Sequence, residues 1–213
     1  MIEKILLADS GSGNTQAMVK ALMEIPAVQR AQTTVLHVVK PQAGAEKMAA
    51  SWAKGGEKLA TAIESLSLDP SKVNAVLREG DPKDVVCKVA DEIDTDLIVM
   101  GSRGLKGLQA ILGNSVSQYV FQLSSHPMLL VKDDLYSIKP IKRILVAIDK
   151  SDSAKENLDV AMWLARDIKD SELIFVHTLS NLRSNVRDAI AANPETDPIL
   201  APAIAEAKKY GLK

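Results

Sequence analysis

The chain has 213 residues, 46% of them hydrophobic and 25% charged, enough to bury a core in more than one minimal domain. A formal net charge of -1 removes the bulk attraction that nucleic acid or an anionic membrane would need, and neither is expected as a partner. No apolar run approaches the roughly 20 residues that span a bilayer. The start "MIEKILLADS" has no signal-peptide pattern and the single cysteine suits a reducing compartment, so the expected location is the cytoplasm.

Short aliphatic runs alternate with longer amphipathic stretches. "KILLAD" (Lys4 to Asp9) predicts a first strand and Asn14 to Glu24 a helix; "TTVLHVV" (Thr33 to Val39) predicts a second strand and Glu46 to Leu66 a second helix. "NAVLRE" (Asn74 to Glu79) is the third strand. The helix over Lys83 to Ile93 has a clear start: Asp81 caps the free amides, Pro82 fits the first helical position and Asp84 favours the positive end of the dipole. Within it Cys87 has helical spacing with Val86, Ala90 and Ile93 and reads as buried filler rather than a reactive thiol. "DLIVMG" (Asp96 to Gly101), a helix over Val116 to Leu123, and "MLLVK" (Met128 to Lys132) complete the series. Nearly continuous apolar strands alternating with helices imply an α/β fold, a doubly wound open parallel five-stranded sheet with right-handed crossovers.

The chain then starts again. "KDDLYSIKP" (Lys132 to Pro140) reads as a linker, and "IKRILVAIDKSDS" replays "IEKILLADSGSG". Asp149 matches Asp9 and His177 in "IFVHT" matches His37 in "VLHVV", both 140 positions apart. These anchors predict a complete domain over residues 1–132, a linker over 133–140 and a partial second repeat over 141–213. The partial repeat reaches only the position of Val73 in the first, so it has no counterpart of the glycine-rich segment after the fourth strand. Its two strands and few helices are too little to bury both faces of a sheet, so it must lean on the first domain, pair with another chain or be truncated.

Ligands of open parallel sheets bind at the carboxyl ends of the strands, where strand order reverses. Three segments should meet there: the loop after the first strand (Asp9 to Gly13), the end of the second (Val38, Val39) and the loop after the fourth (Gly101 to Ser115). In the last, Gly101 and Gly104 let backbone approach a bulky ligand, and Ser115 opens a helix whose free amides favour an anion. Arg103 and Lys106 add positive charge. Ser115 and Gln118 also form an S-x-x-Q capping box, which needs no ligand. Both readings stand on the spacing alone. His37 and His177 read as packing residues, and with His126 they have no metal-ligand spacing, so no metal site is expected.

These residues resemble the universal stress protein family, whose ATP-binding members carry G-x2-G-x9-G-[ST] after the fourth strand. Gly101 to Gly104 match the first part and residues 105–113 supply the nine spacers; Asn114 and Ser115 follow where the pattern has glycine and then Ser or Thr. "LLAD", "LHVV" and "REGDP" are similar to further family elements in the same order. The resemblance covers residues 1–132, and 141 to about 180 again. It implies an adenine nucleotide alpha-hydrolase-like fold and a stress-response role with bound ATP or a related adenine nucleotide, with or without Mg2+. By the same resemblance, Asp9 would hydrogen-bond the adenine, with Leu7 and Val38 lining the base pocket. Met100 and Gly101 would lie against the nucleoside, and Gly104 with the Asn114, Ser115 and Val116 amides would surround the phosphates, beside Arg103. Asn114 is the main departure; asparagine is the non-glycine residue most tolerant of left-handed backbone.

Two other functions compete. Members of the family without the intact glycine motif act as dimeric regulators with no bound ATP. "SGSGNTQAM" resembles the phosphate loop of flavodoxin-like FMN proteins, but only 3% of residues are aromatic, too few for rings against a flavin. No nucleophile elbow, P-loop or catalytic triad is evident, so the expected activity is nucleotide-dependent association with at most slow ATP hydrolysis. Met128 to Lys132 should lie at a sheet edge and pair two chains in a homo-oligomer; client proteins are unspecified.

Overall fold

β1 (Lys4–Ala8) buries Ile5, Leu6 and Leu7 in succession, which a strand does only when both its faces are covered. In the computed structural model it runs parallel to β2 (Gln32–Val39) on one side and to β4 (Leu97–Ser102) on the other, Leu7 being level with Val35 and Val99. β3 (Val73–Glu79) lies beyond β2 and β5 (Met128–Lys132) beyond β4. The order is β3-β2-β1-β4-β5 with every pairing parallel, the doubly wound five-stranded sheet that the sequence predicts. β5 is terminal in it. The structure describes residues 2–9, 22–23, 25–66, 68–102, 116–132, 141–178 and 193–212. The helix over Asn14 to Glu24 therefore lies mostly outside the described residues, and the linker over 133–140 entirely so.

Four helices are described in this part of the chain: α1 (Pro26–Arg30), α2 (Ala45–Ser65), α3 (Pro82–Ile93) and α4 (Val116–Leu123). α3 begins as its sequence dictates. The Asp81 carboxylate accepts the Lys83 amide at 2.9 Å, and Pro82 takes the first helical position. Gly80 turns the chain from β3 into α3 with φ +146°, and a Cβ there would stand 2.7 Å from Val85 Cγ2. That turn requires glycine. Cys87 is partly buried against the core, and burial, aided by Asp91 and Asp84, pushes its thiol pKa up. It is packing material rather than a nucleophile.

One face of the sheet packs Leu6, Leu36, Ile98 and Met100 against Val86, Val89 and Ala90 of α3 and Val120 of α4. Strand alternation turns Leu7, Val35, His37 and Val39 to the other face. α2 covers it closely at Gly55, where a Cβ would come 2.6 Å from Val39 Cγ2 and 3.5 Å from His37 Cδ2.

The chain divides into two compact units, Met1–Lys139 and Pro140–Lys213. The second holds parallel strands β6 (Arg143–Ala147) and β7 (Glu172–Val176), with α5 (Asp152–Ala165), a 3-10 turn at Pro194–Thr196 and α6 (Leu200–Lys209). Val146, Ile148 and Leu173 pack with Ala161, Met162 and Ala165 of α5 and Ala203 and Ala207 of α6. The opposite face of β6 is exposed, Leu145 to 67%.

The backbone register corrects the repeat alignment at one anchor. Lys4 pairs with Gln32, 28 residues on, whereas Arg143 pairs with Glu172, 29 residues on. The Asp9 amide donates to Leu36 O at 3.0 Å, and its counterpart donating to Val176 O at 2.8 Å is Ile148, not Asp149. The histidines, each following one of those acceptors, keep their correspondence. "ILVAID" carries one residue more than "ILLAD" before its aspartate, and that residue, Ile148, is held in the core at 9% exposure. Asp149 falls in the following turn, where it accepts from the Ser151 amide at 2.8 Å and the Ser151 hydroxyl at 2.5 Å. These two bonds hold its carboxyl below the usual carboxylate range.

Candidate functional site

Strand order reverses between β1 and β4: from β1 the sheet grows to β2 and β3 on one side, and to β4 and β5 on the other. The two connections leave in opposite directions, so the carboxyl ends of β1 and β4 open a crevice between them. Ala8, the last residue of β1, is level with Met100, which places Asp9 across from Met100 and Gly101. The predicted positions at the first and fourth strand ends thus meet.

The crevice has different walls. Met100 belongs to the α3–α4 core, and Ala8, Val38 and Val116 pack against the same cluster while remaining partly exposed. Together they form an apolar wall at the mouth. Val116 is the first residue of α4, so this wall ends at a helix start. Leu7, expected to line a base pocket, lies instead on the α2 side of the sheet, 3% exposed and one residue below the end of β1. Gly101, in register with Val131 of β5, is partly exposed at the rim. Arg103, Gly104, Asn114 and Ser115 lie outside the described residues.

Asp9 is the charged residue at the end of β1, and its backbone is held at both ends. Its amide continues the β1–β2 ladder to Leu36 O, and its carbonyl accepts from His37 Nδ1 at 3.1 Å. A carbonyl only accepts, so Nδ1 carries the proton and the ring tautomer follows. His37 is 7% exposed, and its sequence reading as a packing residue missed this bond. The available signal was its place, one residue beyond the last ladder acceptor of β2 and opposite the loop that leaves β1.

The second unit uses the same position differently. His177 Nδ1 meets Asp197 Oδ2 at 3.1 Å, and Asp197 Oδ1 accepts the Ile199 and Leu200 amides at 2.6 and 3.1 Å, at the start of α6. Asp197 is 1% exposed. Burial alone would raise its pKa, but the His177 bond and the two amides outweigh burial and hold the carboxyl below the usual range. Among the described residues, no three His, Cys, Asp or Glu side chains are grouped to hold a metal, and no helix is long and apolar enough to cross a membrane.

Chemically the strand ends bring together apolar side chains, the carboxylate-bearing Asp9, and a glycine where backbone can approach a ligand. Comparison with known proteins gives one answer for both units. The model of the Universal stress protein family matches residues 1–132 and again 140–211. Universal stress protein YxiE of Bacillus subtilis is 28% identical over 148 residues, covering 62% of this chain and the whole of that protein. A universal stress protein from Archaeoglobus fulgidus shares the fold over 90% of this chain and 73% of its own, with 23% identity and a TM-score of 0.65. A universal stress protein solved in complex with cAMP is 23% identical over 62% of this chain and 98% of its own, with a TM-score of 0.46. The chain belongs to the universal stress protein family, which its sequence matches in two tandem stretches.

Proposed function

We propose that the first unit binds ATP or a related adenine nucleotide in the β1–β4 crevice, and that binding governs association of the protein in a stress response. The observation that carries this reading is the juxtaposition of Asp9 with Met100 and Gly101 at the point where strand order reverses. An adenine ring fits the chemistry of the rim. The apolar surface of Met100, Val38 and Val116 suits its faces, and a carboxylate at Asp9 accepts from its exocyclic amine. A base with a carbonyl at that position would meet the carboxylate with repulsion.

The phosphates would follow the chain from Gly101 towards the start of α4, where Arg103, Gly104, Asn114, Ser115 and Val116 occupy the G-x2-G-x9-N-S spacing. Association would use β5, whose terminal place leaves one row of backbone donors and acceptors free of ladder partners within the sheet. This reading assigns no catalytic residue.

The test is calorimetric titration with ATP of the whole chain and of its Asn114→Gly variant. Micromolar binding by the native chain supports the reading, with equal affinity in the variant showing that asparagine serves at that position. Binding by the variant alone overturns it for the natural sequence, and leaves the nucleotide-free dimeric regulator as the function.

A further inference from the structure

We propose that His37 is a positioning residue for ligand recognition: it fixes the Asp9 backbone so that the carboxylate faces the exocyclic amine of a bound adenine. The inference rests on the nucleotide reading above and extends it to a residue outside the family's glycine motif.

Asp9 is the first residue beyond β1, where a chain leaving a sheet ordinarily gains freedom. Here it does not. Its amide is tied to Leu36 O at 3.0 Å and its carbonyl to His37 Nδ1 at 3.1 Å, so consecutive residues of β2 hold the two peptide groups that flank its Cα. With those peptide planes fixed, the direction of the Cα–Cβ bond from which the carboxylate extends is fixed too. The anchor is itself buried. His37 is 7% exposed beneath α2, and the missing side chain of Gly55 leaves room for the ring, whose Cδ2 stands 3.5 Å from where a Cβ would be. A recognition group held in advance loses less freedom when the ligand arrives.

The second unit supplies an internal control. His177 holds the matching place after Val176, yet its Nδ1 turns to Asp197, and the residue that takes Asp9's ladder position is Ile148. The histidine-to-loop bond therefore occurs in the repeat whose loop carries a carboxylate at that position.

The test compares ATP with ITP, which has a carbonyl in place of the exocyclic amine, on the native full-length chain and on His37→Leu and His37→Asn. A hydrogen bond of this kind discriminates by on the order of tenfold. The native chain should prefer ATP by about that factor; His37→Leu should lose the preference through weaker ATP binding, with ITP affinity unchanged. His37→Asn, whose amide donates from near the Nδ1 position, should restore it. Loss of affinity for both nucleotides in parallel, or an unchanged ratio in His37→Leu, would mean that His37 only packs, and the proposal falls. If His37→Leu does not fold, the asparagine variant decides: a folded protein without the preference overturns the proposal. A native chain that binds neither nucleotide refutes the nucleotide reading itself, and the role of His37 with it.

Discussion

β1 and β6 have nearly the same sequence, five-residue strands written KILLA and RILVA, and opposite fates. In β1 both faces are covered, and Leu6 is fully buried under α3 and α4. Leu145 holds the same register position in β6, level with Ile174 as Leu6 is with Thr34, and stands 67% exposed. Only the face with Val146 is covered, by α5 and α6. The burial of a strand is thus not a property of its own residues. It is conferred by helices that arrive later in the chain, and among the described residues the second unit has no counterpart of α3 and α4.

The comparison breaks most readily at those two leucines. Leu6→Ala removes a fully enclosed side chain and should cost about 2–5 kcal/mol. Leu145→Ala removes one already in water and should change stability by no more than about 0.5 kcal/mol. Each unit has its own reporter, since the two tryptophans are Trp52 in α2 and Trp163 in α5. Urea unfolding followed by each tryptophan, with the other replaced by phenylalanine, separates the losses. Similar costs at the two sites would show that the β6 face is covered in solution.

The histidines give a second, smaller contrast, and it depends on pH. His37 donates to a neutral carbonyl, whereas His177 meets a buried carboxylate that also caps α6. Since the folded pKa of Asp197 is depressed, its contribution is complete above the unfolded carboxyl value of about 3.9 and is lost as pH falls through the lower folded value. Asp197→Ala should therefore destabilise the second unit by about 1–2 kcal/mol at neutral pH, the range for a lost helix cap. The difference from the native chain should shrink steadily once the pH drops below the unfolded carboxyl value of about 3.9. Trp163 should register this change and Trp52 should not. A penalty that stays constant through the acid range would mean that Asp197 acts by shape rather than charge.

Much of this organisation is legible in the sequence because it is local. The five strands of the first sheet, the Asp81–Pro82 start of α3 and the repeat itself come from runs and spacings of a few residues each. The register of β6 is not local in that sense. Counting from one aspartate to another assumes that each follows its strand at the same distance, and the structure instead places an extra residue, Ile148, between β6 and Asp149 and in the core. At the strand ends, the places of Asp9, Val38 and Gly101 follow from the rule that ligands bind where the order reverses, and that of Met100 from the family resemblance; their part in binding belongs to the proposal above. The bond from His37 to Asp9 was not, since a backbone carbonyl has no residue type to signal it. Arg103, Gly104, Asn114 and Ser115 remain sequence expectations outside the described residues.

The closeness of the helix cover offers the finest distinction between the two units. α6 faces its core with Ala203 and Ala207, whereas α2 presents Gly55 to β2 and has Gly56 beside it. Any glycine inside a helix gives up about 1 kcal/mol relative to alanine. At Gly56 a Cβ would meet nothing within 4 Å, so Gly56→Ala should raise the stability of the first unit by about 0.5–1 kcal/mol. At Gly55 the same methyl would stand 2.6 Å from Val39 Cγ2 and 3.2 Å from Leu77 Cδ1. Val39 is stiff at χ1 and 4% exposed, so α2 itself would have to lift from the sheet. Overpacking of this kind costs about 1–3 kcal/mol, more than the helix gains, and leaves Gly55→Ala destabilised by about 1 kcal/mol. Adjacent positions on one helix should thus respond with opposite signs in the Trp52-reported midpoint. A stabilising Gly55→Ala would show that α2 rides higher on β2 than its contacts indicate, and that His37 has room to move.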